Sequence, residues 1–216
     1  MVETMTRRVY RALLSLPRLN HETILEQLPA NGLYAFFERG ETCDRDGRNV
    51  DRIVRVGTHR VNGNFPKRIG QHYGNAKSLG GNKNGSVFRK HLGGAILRRS
   101  DPKDLRIPDW LRQKGPSYLD VEEEVSRTLR DHFTFVCFAA DEREERLVLE
   151  RGLIALLAQH PLGEPSLGWL GRYAVAEAIP ASGSWNVQHV GALPLTEDEF
   201  KLMLSLIQHG LNGGRS

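Results

Sequence analysis

At 216 residues, with 39% hydrophobic and 26% charged side chains and a mean hydropathy of −0.43, the chain has the length and composition of one soluble globular domain with room for an insertion. That excludes a disordered chain, a membrane-spanning one and a multidomain machine. The net charge of +4 is unevenly placed: residues 52–115 hold 15 Lys and Arg against 3 Asp and Glu, net +12, whereas residues 1–51 hold 7 against 8 and residues 116–216 hold 8 against 15.

A contiguous basic stretch of that size suits a polyanion, although a solvated basic face balanced by acidic segments is the plainer alternative. The N-terminal MVETMTRRVYRALLSL has no apolar core followed by a small-residue cleavage site, so a cytoplasmic location is expected. Cys43 and Cys137 form no CxxC pair, and no HExxH pattern occurs, which speaks against a disulfide scaffold and a zinc site.

In chain order, residues 6–28 carry Val9, Leu13, Leu14 and Leu16, then Ile24, Leu25 and Leu28, divided by Pro17; this predicts two short helices. Gly32-Leu33-Tyr34-Ala35-Phe36-Phe37 has strand composition. A polar stretch containing the turn pair Asp46-Gly47 follows, then the β-branched run Arg52-Ile53-Val54-Arg55-Val56, and the two runs read as a hairpin with a long connection. Residues 65–73 predict a short helix with Pro66 in its first turn and Gly74 past its end.

Residues 74–86, GNAKSLGGNKNGS, predict an exposed loop. Ser86 caps a helix to about Arg99 with an apolar stripe of Phe88, Leu92, Ala95 and Ile96. Pro102, Pro108 and Pro116 interrupt the next segment. An acidic helix over 119–131, a buried strand over 133–140 and a helix over 141–159 follow. Two Gly/Pro-rich stretches, a short segment at Trp185, a final helix over 197–208 and a frayed NGGRS tail complete the chain.

Glu150 lies three residues after Leu147 and three and four before Leu153 and Ile154, on the apolar face of its helix. A carboxylate there is desolvated and needs a cation, hydrogen bonds or a metal, so it is either a core-edge partner of an arginine or a metal ligand. Arg68 and His72, at i and i+4, share one helix face. There a guanidinium suits the charge that develops at phosphorus and an imidazole can donate a hydrogen bond or move a proton; the bland alternative is an exposed polar face. No GxxxxGK[ST] phosphate loop or GxSxG elbow occurs, and Trp169 and Trp185 read as packing residues rather than base-stacking ones.

Gly32-Leu33-Tyr34, then Arg55-Val56-Gly57, then Arg68-xxx-His72 on a helix and Glu150 on a later one stand in the order of the GIY-YIG nucleases, which the chain resembles over about residues 31–158. The resemblance implies an α/β fold of the α+β type, a small mixed or antiparallel sheet flanked by helices, with divalent-metal hydrolysis of DNA phosphodiesters. It matches Tyr34 to the first motif tyrosine, beside the attacking water, Arg68 to the transition-state arginine, Glu150 to the carboxylate that holds a single Mg²⁺ or Mn²⁺, and His72 to a histidine of some members. The second motif tyrosine is replaced by Arg55. Tyr34, His59 and His72 thus remain alternative proton acceptors, with Tyr34 favoured because it stands in the motif that matches whereas His59 follows the one that does not. An asparagine that often follows the glutamate has no counterpart before Asn186, which can serve only if the Trp185 segment folds back over the site.

The expected organisation is a helical lead-in over 1–30, a nuclease core over 31–160 with a basic insertion over 74–130, and a C-terminal extension over 161–216 packed on the core. Lys77, Lys83, Arg89, Lys90, His91, Arg98 and Arg99 are expected to grip DNA. The leading reading is thus a metal-dependent endonuclease without an organic cofactor or membrane attachment. A DNA-binding module that kept this fold but lost cleavage is the rival, and an interaction protein with no nucleic-acid role is a more distant one.

Overall fold

The structure, a computed structural model, describes residues 3–213 and is organised on three antiparallel strands in the order β2-β1-β3: β1 (Gly32–Arg45), β2 (Arg48–Gly57) and β3 (Phe133–Ala139). The helices are α1 (Met5–Leu14), α2 (Phe65–Tyr73), α3 (Val87–Ser100), α4 (Arg106–Leu111), α5 (Leu119–His132), α6 (Arg143–Gln159), α7 (Ala178–Ser182) and α8 (Glu197–Gly213). The α+β architecture expected from the sequence is the observed one.

Side-chain alternation along β1 builds a core on each face of the sheet. Leu33, Ala35 and Phe37 meet Leu13 of α1, Leu153 of α6 and Met203 of α8, while Tyr34 and Phe36 meet Phe65 and Ile69 of α2, Phe88 of α3 and Val125 of α5. Helices cover both faces, which is why the run from Leu33 to Phe37 is apolar without interruption. The family of contacts around Phe36, which is fully buried, makes Phe36→Ala cost about 3–5 kcal/mol.

Two glycines are demanded by close approach. A Cβ on Gly32 would overlap the Phe138 carbonyl, and one on Gly57, paired with Tyr34 in the register, would overlap the Tyr34 hydroxyl. The β1–β2 register shifts between Phe36 and Phe37, whose partners are Arg55 and Ile53. This bulge admits Val54 to the Phe36 core while Arg55 stays on the same face, its guanidinium 4.9 Å from the Phe88 ring.

The structure corrects several local expectations. The second N-terminal helix reduces to a 3-10 turn, Leu25–Gln27, because Ile24 faces solvent and the segment is too short to present an apolar face. The hairpin has no long connection: Asp46 and Gly47, both at positive φ, close a two-residue turn, and the polar residues before and after them continue the strands. Glu41 and Arg52 form a buried ion pair on this hairpin (2.6 Å), which the apolar pattern could not announce. The final helix runs on to Gly213, so the start of the expected frayed tail is helical, and residues 214–216 lie outside the described residues.

The Trp185 segment does fold back onto the edge strand β2. Trp185 N–H donates to the Val54 carbonyl (2.7 Å), and the Asn186 side chain takes both backbone groups of Val56, accepting its N–H at 2.9 Å and donating to its carbonyl at 2.8 Å. A side-chain amide thus completes the ladder where a further strand would otherwise be needed.

Candidate active site

Beyond the end of β2, a cleft of about 660 Å³ opens between the 58–64 loop, α2, the first turns of α3, α6 and the 186–189 segment. Its lining includes Arg55, Arg60, Lys67, Arg68 and Lys90 but a single carboxylate, Glu150. The charge of the lining therefore favours an anionic ligand, with Glu150 as its one negative group.

That group is carried by α6. Glu150 Oε1 accepts the Thr58 backbone N–H at 3.1 Å, and Oε2 takes no hydrogen bond from any described residue. Burial pushes its carboxyl up from the ordinary range, against the opposing pull of Arg55, the Thr58 N–H, His189 and Arg68. The helix face differs from the sequence expectation: Leu147 is partly exposed and lines the cleft with Glu150, while Leu149, Leu153 and Leu156 enter the core. Glu150 stands at the rim between core and cleft.

Arg68 projects from α2 into the cleft, anchored by donation from Nη1 to the Gly85 carbonyl (2.9 Å). His72, one turn on, does not share its exposure. It is fully buried, with Nε2 2.9 Å from the Tyr34 hydroxyl and Nδ1 2.9 Å from Ser86 Oγ. Burial first, then Arg68, Arg55 and Arg89, hold its basicity well below that of a free imidazole, so it is neutral at physiological pH. Tyr34 is likewise buried, beneath Gly57, and is not among the residues that line the cleft. Arg68 and His72 thus do not share one exposed face, and Tyr34, His72 and Ser86 form a buried chain behind the cleft wall.

His59 does line the cleft. Its Nε2 stands 2.9 Å from Asn31 Oδ1, an oxygen that also accepts the Gly63 N–H (2.8 Å). Nε2 therefore carries the ring proton, leaving Nδ1, 3.4 Å from the Thr58 hydroxyl in a residue only 3% exposed, as the basic nitrogen. The adjacent Thr58 hydroxyl is committed to the Gly32 carbonyl (2.7 Å), and burial, followed by the charge of Arg146, lowers the basicity of His59.

Three cleft residues carry more than the sequence reading gave them. Arg55 is buried and donates from Nη1 to the Trp185 carbonyl at 2.7 Å. His91 reaches the cleft from α3 with its pKa lowered to about 4 by burial, then by Lys90 and Arg55. His189, exposed and at φ 66°, faces the cleft three residues beyond Asn186; a left-handed backbone at a cleft histidine has no signature in the sequence.

The proposed DNA grip divides. Lys90 and His91 line the cleft, and Lys77, Arg98 and Arg99 are exposed, with Arg98 also donating to the Ala174 carbonyl (3.2 Å). Arg89 and Lys83 are corrections. Arg89 is fully buried, donating to Glu122 from Nε (2.9 Å) and Nη2 (2.6 Å), and Lys83 Nζ donates to the Arg112 carbonyl (3.3 Å) beneath Trp110. Both fasten the 74–86 loop to α5 and its surroundings. Much of the basic stretch is spent in this internal way, and Arg106 pairs with Asp104 and Asp120.

Residues 4–209 match the family model described as the GIY-YIG domain. The match extends beyond the four motif elements to α1 and α8, which close the core on one face of the sheet. No curated protein and no solved structure matches the chain.

Proposed function

The chain belongs to the GIY-YIG family, whose function is of nuclease type, and on that premise we propose that it is a divalent-metal-dependent endonuclease acting on DNA in the cytoplasm. The observation that carries the reading is the convergence of Glu150 from α6 and Arg68 from α2 on one cleft whose other charged lining residues are all cationic.

The residues present fit Mg²⁺ or Mn²⁺. Mg²⁺ is held by one or two carboxylates together with waters and substrate phosphates, and Glu150 offers an oxygen with no partner among the described residues where the core meets this cation-lined cleft. Among the described residues no three His, Cys, Asp or Glu side chains form a cage, and a site of this kind needs none. When bound, the ion supplies Lewis-acid polarisation of a phosphoryl oxygen.

The chain's own residues supply the rest. Arg68, its orientation set by the Gly85 carbonyl, meets the charge that develops on the phosphoryl oxygens as the bond to water forms. His59 Nδ1 accepts a proton from that water, oriented through Nε2 by Asn31 as a base is oriented by a third group. The Tyr34–His72–Ser86 chain holds β1, α2 and the N-terminus of α3 in register behind them.

A second reading, a DNA-binding module without cleavage, is favoured by Arg55 in the place of the second motif tyrosine and by the burial of Tyr34. Incubation of supercoiled plasmid with Mg²⁺, Mn²⁺ or EDTA separates the two. Metal-dependent nicking is the expected result, and salt-sensitive binding without nicking would establish the module.

A further inference from the structure

Seven buried side-chain nitrogens among the described residues find no hydrogen-bond partner, and three of them, Arg55 Nε, Arg68 Nε and His91 Nδ1, belong to residues that line the one cleft. Buried polar groups are ordinarily paired, so unpaired nitrogens on three residues that line one cleft make those residues candidates for bonding to a ligand held there.

Arg55 is the most constrained of the three. It is 7% exposed, its Nη1 is fixed by the Trp185 carbonyl at 2.7 Å, and its Cζ lies 4.9 Å from the centre of the Phe88 ring. The opposite edge of the guanidinium, Nε and Nη2, takes no acceptor among the described residues. A guanidinium edge of two parallel N–H donors matches two oxygens of a phosphate, and holding the other edge in place removes the ordering cost of presenting it. The β2 bulge supports the arrangement by seating Val54 in the core and leaving Arg55 at its margin. Arg55 cannot take over the proton chemistry of a tyrosine, because guanidinium is not deprotonated in proteins.

We infer that Arg55 and His91 form a phosphate subsite of the cleft, in which the guanidinium standing in the place of the second motif tyrosine grips a phosphodiester group of bound nucleic acid. The inference rests on the nuclease reading for its ligand, and it extends that reading by assigning a holding role to the position where the motif departs. Lys90, beside His91 on α3, adds charge to the same wall.

The test uses the full chain in EDTA, so that metal and cleavage play no part. Inorganic phosphate is titrated while melting temperature and the histidine NMR signals are followed, and binding of a short duplex is measured over a range of salt. Wild type should respond saturably to phosphate. Arg55→Tyr, which restores the motif, should lose most of that response, bind the duplex at least about tenfold more weakly, and show a log-log salt slope smaller by about 0.9. Arg55→Lys should recover part of the affinity, and His91→Ala should weaken phosphate binding while leaving the fold intact by circular dichroism. Should Arg55→Tyr fail to fold, the Arg55→Lys and His91→Ala pair carries the comparison.

No saturable response in wild type, or folded variants with unchanged phosphate affinity and salt slope, overturns the subsite. Plasmid nicking is scored separately. A wild type that nicks DNA while these variants bind like wild type defeats the subsite alone, whereas Arg55-dependent phosphate binding without nicking supports the subsite and defeats the nuclease reading.

Discussion

The hydroxyl of Tyr34 lies 2.9 Å from Nε2 of His72, and both side chains are buried away from the cleft that holds Glu150 and Arg68. A motif tyrosine and a motif histidine are thereby bound to each other, with Ser86 Oγ closing the chain at the other ring nitrogen. Their first effect is on the stability and registry of the elements that frame the site.

Tyr34→Phe should therefore destabilise the protein by about 1–3 kcal/mol, the cost of leaving one buried hydrogen-bonding nitrogen of His72 unpaired. It should lower the cleavage rate less than tenfold. Urea unfolding and plasmid nicking check the two together; a loss of about a hundredfold in rate with unchanged stability would instead make Tyr34 the proton acceptor.

The pH dependence of cleavage distinguishes the same alternatives. The proposed proton acceptor, His59, would act in its neutral form, and burial places its pKa below the ordinary imidazole value of about 6.5. The rate should climb through mildly acidic pH and stay level from about pH 7 to 9. A rate that keeps rising toward pH 10 would point to a tyrosine. His59→Ala should cost about a hundredfold in rate.

Glu38 makes a separate prediction. Its Oε2 accepts both indole N–H groups, from Trp169 at 2.9 Å and Trp185 at 3.0 Å, and burial raises its pKa to about 7. The folded chain holds this proton where the unfolded chain has released it. Stability from this group is thus fully present below about pH 4.5 and falls by roughly 3 kcal/mol as pH rises to about 7. Glu38→Gln should gain on wild type between pH 5 and pH 8 in urea unfolding. An equal difference at both pH values would show that Glu38 does not titrate in this window.

The basic residues should separate by burial. Arg89→Ala leaves Glu122 buried without its cation and should cost about 3–5 kcal/mol, with no effect on the salt slope of DNA binding in whatever fraction stays folded. Arg98→Ala with Arg99→Ala should cost no more than about 1.5 kcal/mol, the hydrogen bond from Arg98 to the Ala174 carbonyl, and reduce the slope by up to about 1.8. An unchanged slope would remove the exposed end of α3 from the DNA path.

The order of elements from β1 to α6 was legible because Leu33–Phe37 and the Ser86 cap are local signals, and so were the four motif positions. The length of the hairpin was not, because residues 42–45 and 48–51 are paired across the ladder, and Glu41 and Arg52 by their ion pair, rather than by an apolar pattern. Charge counting likewise found the basic stretch but not that Arg89 and Lys83 are consumed by Glu122 and a carbonyl, since pairing between α3 and α5 is a tertiary fact. The amide of Asn186 on Val56, and the cleft position of His189, depend on the return of a segment 130 residues away.

The most direct measurement is the nicking of supercoiled plasmid by wild type and by Glu150→Gln, with Mg²⁺ and with EDTA, alongside duplex affinity. Removing one charge from the oxygen pair that faces the cleft should abolish Mg²⁺-dependent nicking, leave duplex binding within a few fold and leave the fold unchanged. Nicking by Glu150→Gln at a rate near that of wild type, or nicking by wild type that persists undiminished in EDTA, would contradict the account.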